Sequence, residues 1–283
     1  MADVDVVVVN YDAGEHLLKC LASIETAGAD ARASVTVVDN ASTDGSARVA
    51  LESFPEVTLI ASHDNLGFGS AANQGIRVGS APWVFLLNPD AEVTRGTFSD
   101  LLRVADARPR AGVIGVLTRE PDGSLYPSAR RIPTLPEATG HALLGPFLHD
   151  NRFSRAYTMS DWDRTSEREV DWVSGSCMLL RRAALDTVSA FDPGFFMYAE
   201  DADLCTRMRG GGWQVLFTPV MEVVHDRGLS TRGSRRMIWE HSQSIYRYFG
   251  KHYAHGWRRA LLPFARGALW LRAVIVSRRM WRP

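Results

Sequence analysis

The chain has 283 residues, of which 46% are hydrophobic and 23% charged, a composition typical of a globular protein that buries one large core. Its three cysteines, Cys20, Cys177 and Cys205, lack the paired spacing of a disulfide framework or a zinc site, which indicates a reducing cytoplasm. No basic segment precedes the first apolar stretch, so we expect no secretory signal.

The net charge of zero hides a strong asymmetry along the chain. Residues 227–283 contain thirteen Arg and Lys residues and one acid, Glu240, whereas residues 1–226 carry a net charge of −12. A basic tail on an acidic body is typical of a protein whose partner is an anionic surface, either a membrane leaflet or a nucleic acid.

Short apolar runs alternate with segments of helical periodicity in the first half of the chain. The apolar runs predict strands at residues 4–9, 35–38, 57–61, 83–87 and 113–117. The other segments predict helices at 14–26, from a Ser42 or Thr43 cap to 53, from after Gly69 to 78, and at 94–107. This alternation predicts an α/β fold with a mostly parallel sheet flanked by helices.

The pattern is weaker in the second half of the chain. Polar residues 150–169 predict a long loop, a feature typical of functional lids. Ordered structure is expected again from Val170 to Leu180, with a helix from about Glu200 and short strands at 213–217 and 222–225.

The tail predicts an amphipathic helix at 234–249 and a second segment at 257–281, where Arg and Trp mix with apolar residues. No uncharged run in it reaches the about 18 residues that a spanning helix needs, so we expect this segment to lie in the membrane interface. A terminal helix docked on the body is the alternative. Five apolar residues favour lipid over a nucleic-acid partner: Leu261, Leu262, Leu269, Leu271 and Ile275.

The apolar run at 83–87 ends abruptly at Asn88-Pro89-Asp90. Pro89 cannot continue a central strand, so Asp90 and Glu92 are predicted to lie at the end of the strand, where open α/β sheets bind their ligands. Two acids there suit a divalent cation that bridges phosphates. A turn with a solvated acid is the alternative.

Three further acidic or basic positions follow apolar runs or loops and suit a nucleotide-sugar site. Asp39 can accept a hydrogen bond from the base, and Asp90 with His225 suits Mg²⁺ or Mn²⁺. Asp201 can take the proton of an attacking sugar hydroxyl, while the metal neutralises the leaving nucleoside diphosphate. Each position also has an alternative interpretation. Asp39 could cap a helix, Glu200 and Asp201 could be acids that favour a helix N-terminus, and His225 could be an ordinary half-buried histidine.

Several motifs together resemble the family 2 inverting glycosyltransferases of the GT-A fold, over about residues 4–232. They are Asn10-Tyr11, residues 38–46, residues 65–69 with Asn73, and Asn88-Pro89-Asp90. Residues 175–182 and 191–204 resemble the rhamnosyltransferase branch. Residues 121–131 and 141–147 are similar to the actinobacterial enzymes of that branch that build the linker of arabinogalactan.

The resemblance implies a role for each matching residue. Nucleotide-sugar contacts fall to Asn10, Tyr11, Asp12, Asp39, Asn65, Gly67, Asn73, Asn88 and Asp90. Asp201, with Glu200 beside it, would be catalytic, and Asp90 and His225, with Glu92, would bind Mg²⁺ or Mn²⁺. The metal motif is degenerate, because Asn88 occupies its first acidic position. Acceptor contacts fall to Trp172, Gly175, Arg130 and Arg131.

The resemblance implies a hexosyltransferase that moves L-rhamnose from dTDP-L-rhamnose to N-acetylglucosaminyl-diphospho-decaprenol by inverting single displacement. It would act at the cytoplasmic face of the plasma membrane as a peripheral protein on an anionic membrane surface. The expected domains are a GT-A domain at 1–232, with a nucleotide-sugar half at 1–117 and an acceptor half at 118–232, and a membrane-associating tail at 233–283.

Other functions stay open at this point. A UDP-galactose or UDP-N-acetylglucosamine donor, or another polysaccharide acceptor, would suit the same residues. A nucleotidyltransferase is disfavoured because residues 10–18 contain no Arg or Lys, and an inactive scaffold is disfavoured because Asp39, Asp90 and Asp201 are all present. We expect no nucleic-acid partner, and a homodimer is kept as an alternative to a monomer.

Overall fold

The computed structural model describes residues 3–132, 148, 151–226 and 235–279. Its strands are β1 Val4–Asn10, β2 Ala33–Asp39, β3 Thr58–Ala61, β4 Trp83–Leu87, β5 Ala91–Arg95, β6 Ala111–Arg119, β7 Ala129–Arg130, β8 Arg168–Glu169, β9 Trp172–Val173, β10 Cys177–Arg181 and β11 Gln214–His225. Its helices are α1 Glu15–Ala27, α2 Ser46–Ser53, α3 Phe68–Val78, α4 Phe98–Asp106, α5 Arg152–Thr158, α6 Arg182–Val188, α7 Glu200–Gly210, α8 Arg235–His252 and α9 Leu262–Arg279. A 3₁₀ helix, Gly256–Leu261, precedes α9.

One central sheet runs in the order β3-β2-β1-β4-β10-β6-β11-β5, with β8 paired to β11 at the side. Strands β1 to β4 pair in parallel, as does β6 with β11. Strand β10 runs antiparallel to both of its neighbours, β4 and β6. The predicted α/β sheet flanked by helices is therefore confirmed, and its second half is mixed because β10 is inserted there.

The sheet separates two apolar clusters, one on each face. Alternate residues of β1 enter different clusters: Val4, Val6 and Val8 pack with α1 and α4, whereas Val7 and Val9 pack with α3, α6 and α7. Strands β1 and β4 are buried along their whole length, as expected for strands covered by helices on both faces. This burial explains the apolar runs at residues 6–9 and 83–87. Asp5, also buried in β1, is paired with Arg182 at 2.7 Å.

Several elements differ from the sequence-based prediction. Strand β5 occupies the start of the helix expected at 94–107, and helix α4 begins only at Phe98. Helix α2 begins after Gly45, whose φ of 78° marks its N-cap, so the predicted Ser42 or Thr43 cap was wrong. Ser42 instead accepts a hydrogen bond from the backbone N–H of Asp12.

The second half of the chain contains more regular structure than its pattern indicated. Helix α6, directly after β10, was not predicted, and helix α5 with strand β8 lies inside the expected loop at 150–169. The two strands expected between 213 and 225 form one strand, β11, whose pairing with β6 shifts register between Thr218 and Glu222. Residue 150, the motif at 141–147 and the domain boundary at 232 lie outside the described residues.

Helix α8 docks on the body of the protein through a buried carboxylate on α7. Asp203 is fully buried and accepts hydrogen bonds from Arg207 Nε at 2.8 Å and His252 Nε2 at 2.7 Å. The ammonium of Lys251 lies 2.8 Å from the same carboxylate. Thr206 and Tyr248 add a hydrogen bond of 2.8 Å between their hydroxyls. The first tail helix is thus part of the folded body.

Helix α9 packs on α8 and keeps an exposed apolar face. The exposed large side chains of this region are Trp257, Phe264, Trp270, Leu271 and Ile275. Within the described ranges, Gly256–Ser277 is the one helical segment that by length and composition could cross a membrane, with a mean hydropathy of 1.4. Four arginines lie in this segment: Arg258, Arg259, Arg266 and Arg272.

The Asp203 cluster predicts a pH-dependent contribution to stability. Burial would raise the pKa of Asp203, but His252, Lys251 and Arg207 outweigh it and lower the pKa to about 2. Because the pKa is lower in the folded state, the stabilisation is complete above the unfolded value of about 4 and is lost as pH falls towards the folded value.

We expect Asp203→Asn to lower the free energy of unfolding by about 2 kcal/mol at pH 7, because it removes the charge of a fully buried carboxylate that accepts hydrogen bonds from Arg207 and His252 and pairs with Lys251. Urea unfolding should show that the difference in unfolding free energy between the variant and the wild type becomes smaller as pH falls from 5 to 3. Asp186→Asn, at an exposed position of α6, is the control and should change little. A loss of the same size at both pH values would contradict the assignment.

Candidate active site

The carboxyl ends of β1 and β2 hold Asp39 at the edge of the sheet. Asn10 and Asp39 are direct partners in the parallel register, and Asn10 Nδ2 lies 2.9 Å from Asp39 Oδ1. The same nitrogen lies 2.9 Å from Ser46 Oγ and 3.0 Å from Ser42 Oγ. Asp39 Oδ2 forms no hydrogen bond with the described residues, so this oxygen can accept from a ligand.

Asp12 and Asp44 fix the loops that follow these two strands. Asp12 Oδ1 accepts from the backbone N–H of Thr43 at 2.6 Å and of Asp44 at 3.3 Å. Asp44 Oδ2 in turn accepts from the Gly14 N–H at 2.8 Å. Asp12 therefore supports the loop, while the neighbouring Tyr11 side chain is 39% exposed beside it.

The loop before α3 is fixed by two asparagines. Asn40 Nδ2 donates to Asn65 Oδ1 at 2.9 Å, and the Leu66 N–H donates to Asn40 Oδ1 at 2.9 Å. Gly67 has a φ of 81°, and a Cβ there would overlap the carbonyl oxygen of Phe196. Only glycine fits this position, since both the backbone conformation and the close approach exclude a side chain.

Asn73 connects α3 to the segment that leads into α7. Its Nδ2 donates to the carbonyl oxygen of Phe191 at 2.8 Å, and its Oδ1 accepts from the Phe191 N–H at 3.0 Å. Both ends of this amide are engaged with one backbone residue. The function visible in the structure is therefore to position the Phe191 segment, and a contact of Asn73 with the nucleotide sugar stays a prediction.

Asp90 and His225 meet where β4 and β11 end. His225 Nε2 lies 3.0 Å from Asp90 Oδ1 and 3.3 Å from Asn88 Nδ2. Asp90 and His225 are 9% and 6% exposed. Asn88 Oδ1 and His225 Nδ1 are buried and have no hydrogen-bond partner among the described residues. These two acceptor-capable atoms are therefore available to a cation or to a bound substrate.

Glu92 does not join this pair, contrary to the sequence-based expectation. In the antiparallel pairing of β5 with β11, Ala91 lies opposite His225 and Glu92 lies opposite Val224. Directly opposite residues share a face and successive residues alternate, so Glu92 and His225 are on different faces. Within the described ranges, no group of three or more His, Cys, Asp and Glu side chains is arranged to hold a metal ion.

Asp90, His225 and the Asn88 amide nevertheless fit a divalent cation that is completed by its substrate. Mg²⁺ is commonly bound through one or two carboxylates, with substrate phosphates and water as its other ligands. Imidazole nitrogen next to carboxylate oxygen also suits Mn²⁺. The partnerless Asn88 Oδ1 and His225 Nδ1 are the observation that supports this fit.

Asp201 is oriented by two backbone donors at the start of α7. Its Oδ2 accepts from the Gly175 N–H at 2.9 Å, and its Oδ1 accepts from the Ala202 N–H at 2.7 Å. Burial raises the pKa of Asp201, although these two hydrogen bonds and the charge of Arg130 act in the opposite direction. The carboxylate is thus held in place and made more basic than a solvated aspartate.

Glu200, beside it, has a different environment. Its side chain is 6% exposed, and its Oε2 has no hydrogen-bond partner in the described part of the chain. Burial, followed by the charge of Asp201, raises the pKa of Glu200 well above the ordinary range. The adjacent pair therefore retains a proton at a pH where solvated carboxylates have lost theirs.

Arg130 is surrounded by three aromatic rings. Its guanidinium carbon lies 5.4 Å from the ring centres of Tyr126 and Tyr157 and 4.9 Å from that of Trp172. Both tyrosine hydroxyls also accept hydrogen bonds from it, at 2.9 and 3.1 Å. Trp172 is 8% exposed and forms one side of this cage, while Arg131 is exposed.

Three residues of the site were missed by the sequence-based prediction. Asn40 and Tyr126 lie inside the motifs that carried the family resemblance, so their positions alone could have indicated them. Tyr157 lies in the segment expected to be a loop, and no sequence signal connects it to Arg130.

A sheet with carboxylates at its strand ends and a buried carboxylate pair beside them fits a glycosyltransferase of the GT-A type. The chain matches the family described as "Glycosyltransferase like family 2" over residues 2–240 and belongs to that family, as predicted. It is 40% identical to N-acetylglucosaminyl-diphospho-decaprenol L-rhamnosyltransferase from Mycobacterium tuberculosis over 291 aligned residues, which cover 98% of this chain and 94% of the relative.

Two further proteins are more distantly similar. Rhamnosyltransferase WbbL from Escherichia coli K12 is 28% identical over 172 residues, 60% of this chain and 62% of that protein. Mannosyltransferase PcManGT from Pyrobaculum calidifontis, solved in complex with GDP-Man and Mn²⁺, superimposes with a TM-score of 0.61 at 19% identity. That match covers 100% of this chain and 76% of the solved one, and it confirms the predicted fold.

The buried pair predicts how a neutral substitution changes stability with pH. The folded-state pKa of Glu200 is raised, so the folded protein binds more protons than the unfolded chain and loses stability as pH rises from about 4 through that raised value. Glu200→Gln removes the ionisable carboxyl and therefore this loss of stability at high pH. We expect its Tm to exceed that of the wild type by a margin that grows from pH 5 to pH 9.

Differential scanning calorimetry across this pH range is the measurement. Glu56→Gln, at an exposed position, serves as the control and should show a constant difference. A margin that does not vary with pH for Glu200→Gln would show that this carboxyl titrates normally in the folded protein.

Proposed function

We propose that this protein transfers L-rhamnose from dTDP-L-rhamnose to an N-acetylglucosaminyl-diphospho-polyprenol, with decaprenol as the prenyl chain, by inverting single displacement. The supporting observation is the 40% identity to the M. tuberculosis rhamnosyltransferase over 98% of this chain, with Asp39, Asp90 and Asp201 all in the site. The product would be the linker of the actinobacterial cell-wall arabinogalactan.

Asp39 is proposed to select the pyrimidine base. Its Oδ2 would accept the N3–H of thymine, while Asn10 holds Oδ1 and so orients the carboxylate. Tyr11, Asn65 and Gly67 would line the same nucleotide-sugar site. Gly67 allows the backbone to approach closely where a side chain would block it.

Asp90 and His225, with Asn88, are proposed to hold Mg²⁺ or Mn²⁺ against the donor diphosphate. When bound, the cation would neutralise the negative charge that develops on the departing dTDP. Asp90 Oδ1 and His225 Nε2 lie 3.0 Å apart, so both side chains would reach a common cation once bonds to it replace the hydrogen bond between them.

Asp201 is proposed to be the general base. As the hydroxyl oxygen of the N-acetylglucosamine residue bonds to the anomeric carbon, the bond from that carbon to the dTDP oxygen breaks and the hydroxyl proton passes to Asp201. The hydrogen bonds from Gly175 and Ala202 orient the carboxylate for this transfer. If Glu200 is protonated, no second negative charge lies beside Asp201.

Arg130, together with Arg131 and Trp172, is proposed to bind the acceptor. Its hydroxyl and carbonyl partners use three of the five guanidinium N–H groups, leaving two for the acceptor diphosphate. The aromatic cage fixes the orientation of the guanidinium. Trp172 forms part of that cage and would border the acceptor sugar.

The tail is proposed to hold the enzyme as a peripheral protein at the cytoplasmic face of the membrane. The exposed apolar side chains of Trp257, Phe264 and Trp270 would enter the interface, with the tail arginines against anionic headgroups. The division into a GT-A domain at 1–232 and a membrane-associating tail at 233–283 belongs to this proposal, in which α8 docks the tail on the body and residues 257–283 contact the membrane.

Donor turnover tests the proposed activity. The purified full chain, with a GlcNAc-diphosphoryl-prenyl acceptor and Mg²⁺ or Mn²⁺, should release dTDP from dTDP-rhamnose but no UDP from UDP-galactose or UDP-N-acetylglucosamine. Chelation with EDTA should stop the release and added metal should restore it. Asp201→Asn should lower turnover by about 10³-fold, because the base is lost, with dTDP binding by calorimetry unchanged.

The other outcomes separate the parts of the proposal. Turnover of a UDP-sugar alone would refute the rhamnosyl donor and leave the family mechanism in place. A dTDP affinity that falls together with turnover in Asp201→Asn would refute the base assignment.

Deleting residues 257–283 tests the proposed membrane attachment. The shortened protein keeps α8 and should appear in the soluble fraction after ultracentrifugation with anionic vesicles, because the exposed apolar face is gone. Its turnover of a short-chain, water-soluble acceptor should equal that of the full chain. Continued sedimentation with vesicles would place the attachment surface elsewhere.

A further inference from the structure

We infer that helix α8 positions the catalytic base, with Lys251 and Ser244 as the positioning residues. The inference rests on the proposed function, since it takes Asp201 as the base. It concerns residues 191–201, here named the base segment, which lead into Glu200 and Asp201 at the start of α7. Helix α8 was expected to belong to a membrane tail, not to the site.

The backbone of the base segment has an unusual conformation directly before the catalytic pair. Tyr198 and Ala199 have φ values of 70° and 60° and are not glycines. Residues with side chains keep such conformations only where the surrounding contacts determine them. The orientation of Asp201 therefore depends on the contacts that keep residues 197–199 in this conformation.

Helix α8 makes contacts with these residues. Ser244 Oγ donates to the carbonyl oxygen of Met197 at 2.8 Å, and Ser244 is buried. The ring of His241 packs edge-on against Tyr198, with 5.1 Å between ring centres. Two successive turns of α8 thus hold the part of the base segment with the positive φ values.

Lys251 connects the two ends of the region. Its Nζ lies 2.6 Å from Asp192 Oδ2, near the start of the base segment, and 2.8 Å from Asp203 Oδ1, two residues after Asp201. Arg247 adds a second contact to Asp192 at 3.2 Å. One ammonium group therefore contacts carboxylates on both sides of the proposed base.

The base segment also has contacts with the body that carries the sheet. Asn73 holds Phe191, and the Phe68 N–H donates to the carbonyl oxygen of Phe196 at 2.9 Å. Helix α8 supplies a second set of contacts, to Asp192, Met197 and Tyr198. The family match ends at residue 240, before Ser244, Arg247 and Lys251.

The test compares Lys251→Met and Lys251→Arg in the full chain. We expect Lys251→Met to lower kcat by about 10- to 100-fold through misplacement of Asp201, with the KM for dTDP-rhamnose unchanged because Asp39 and Asp90 are untouched. Lys251→Arg keeps the positive charge and should recover most of the kcat. Lys19→Met, which removes the other lysine of the chain at an exposed position of α1, should behave as the wild type.

Ser244→Ala provides a milder variant in case Lys251→Met folds poorly. It removes one hydrogen bond to the base segment and no charge, and it should also lower kcat without changing KM. A wild-type kcat in Ser244→Ala and in folded Lys251→Met, whatever their Tm, would overturn the inference. Equal loss of kcat in Lys251→Met and Lys251→Arg would overturn the role of the ammonium charge.

Hydrogen exchange separates this inference from the proposed function. In Lys251→Met the amides of residues 192–203 should exchange faster, while those of β1 and β2 stay as in the wild type. A wild-type protein that transfers no rhamnose would refute the proposed function, and exchange at 192–203 would still test the coupling to α8. Unchanged exchange at 192–203 would refute the coupling itself.

Discussion

The antiparallel pairing of β10 with β4 is the constraint on which the candidate site depends. It places Cys177 opposite Leu87, and the Asn88 N–H then donates to the carbonyl oxygen of Ser176 at 2.8 Å. The next residue back, Gly175, donates to Asp201. Through the adjacent residues Gly175 and Ser176, the segment after β4 that carries Asp90 is connected to the Asp201 carboxylate. A slip of this pairing by one residue would move every side chain of β10 to the opposite face.

Three acids within one turn of α7 have three different electrostatic environments. Glu200 is buried beside a like charge, so its pKa is raised, whereas Asp203 is surrounded by Arg207, Lys251 and His252, so its pKa is lowered. Asp201, between them, is oriented by backbone N–H groups. The three carboxyl groups therefore separate into a proton-retaining group, a carboxylate oriented by backbone donors and a structural anion. The separation comes from partners up to 49 residues away along the chain.

Local sequence patterns correctly predicted those elements whose apolar residues are the ones that the fold buries. The bounds of β4 were predicted correctly because its five buried residues form one apolar run that Pro89 follows closely. Strand β5 was missed because its buried residues are few and polar ones intervene, so only its pairing with β11 makes it a strand. The same pairing places Glu92 and His225 on opposite faces of the sheet. Register between strands distant in sequence is a tertiary property, and no local pattern encodes it.

By itself, the sequence determined the family and the α/β fold. It also predicted Asp39, Asp90, Asp201 and His225 as site residues, because these follow strand ends or lie in ordered motifs. Only the tertiary structure decided that Asn73 holds Phe191, that aromatic rings enclose Arg130, and that α8 contacts the base segment. Each of these depends on side chains that meet across many residues of chain. Their contacts follow from packing and charge compensation in the folded state, which residue order alone does not specify.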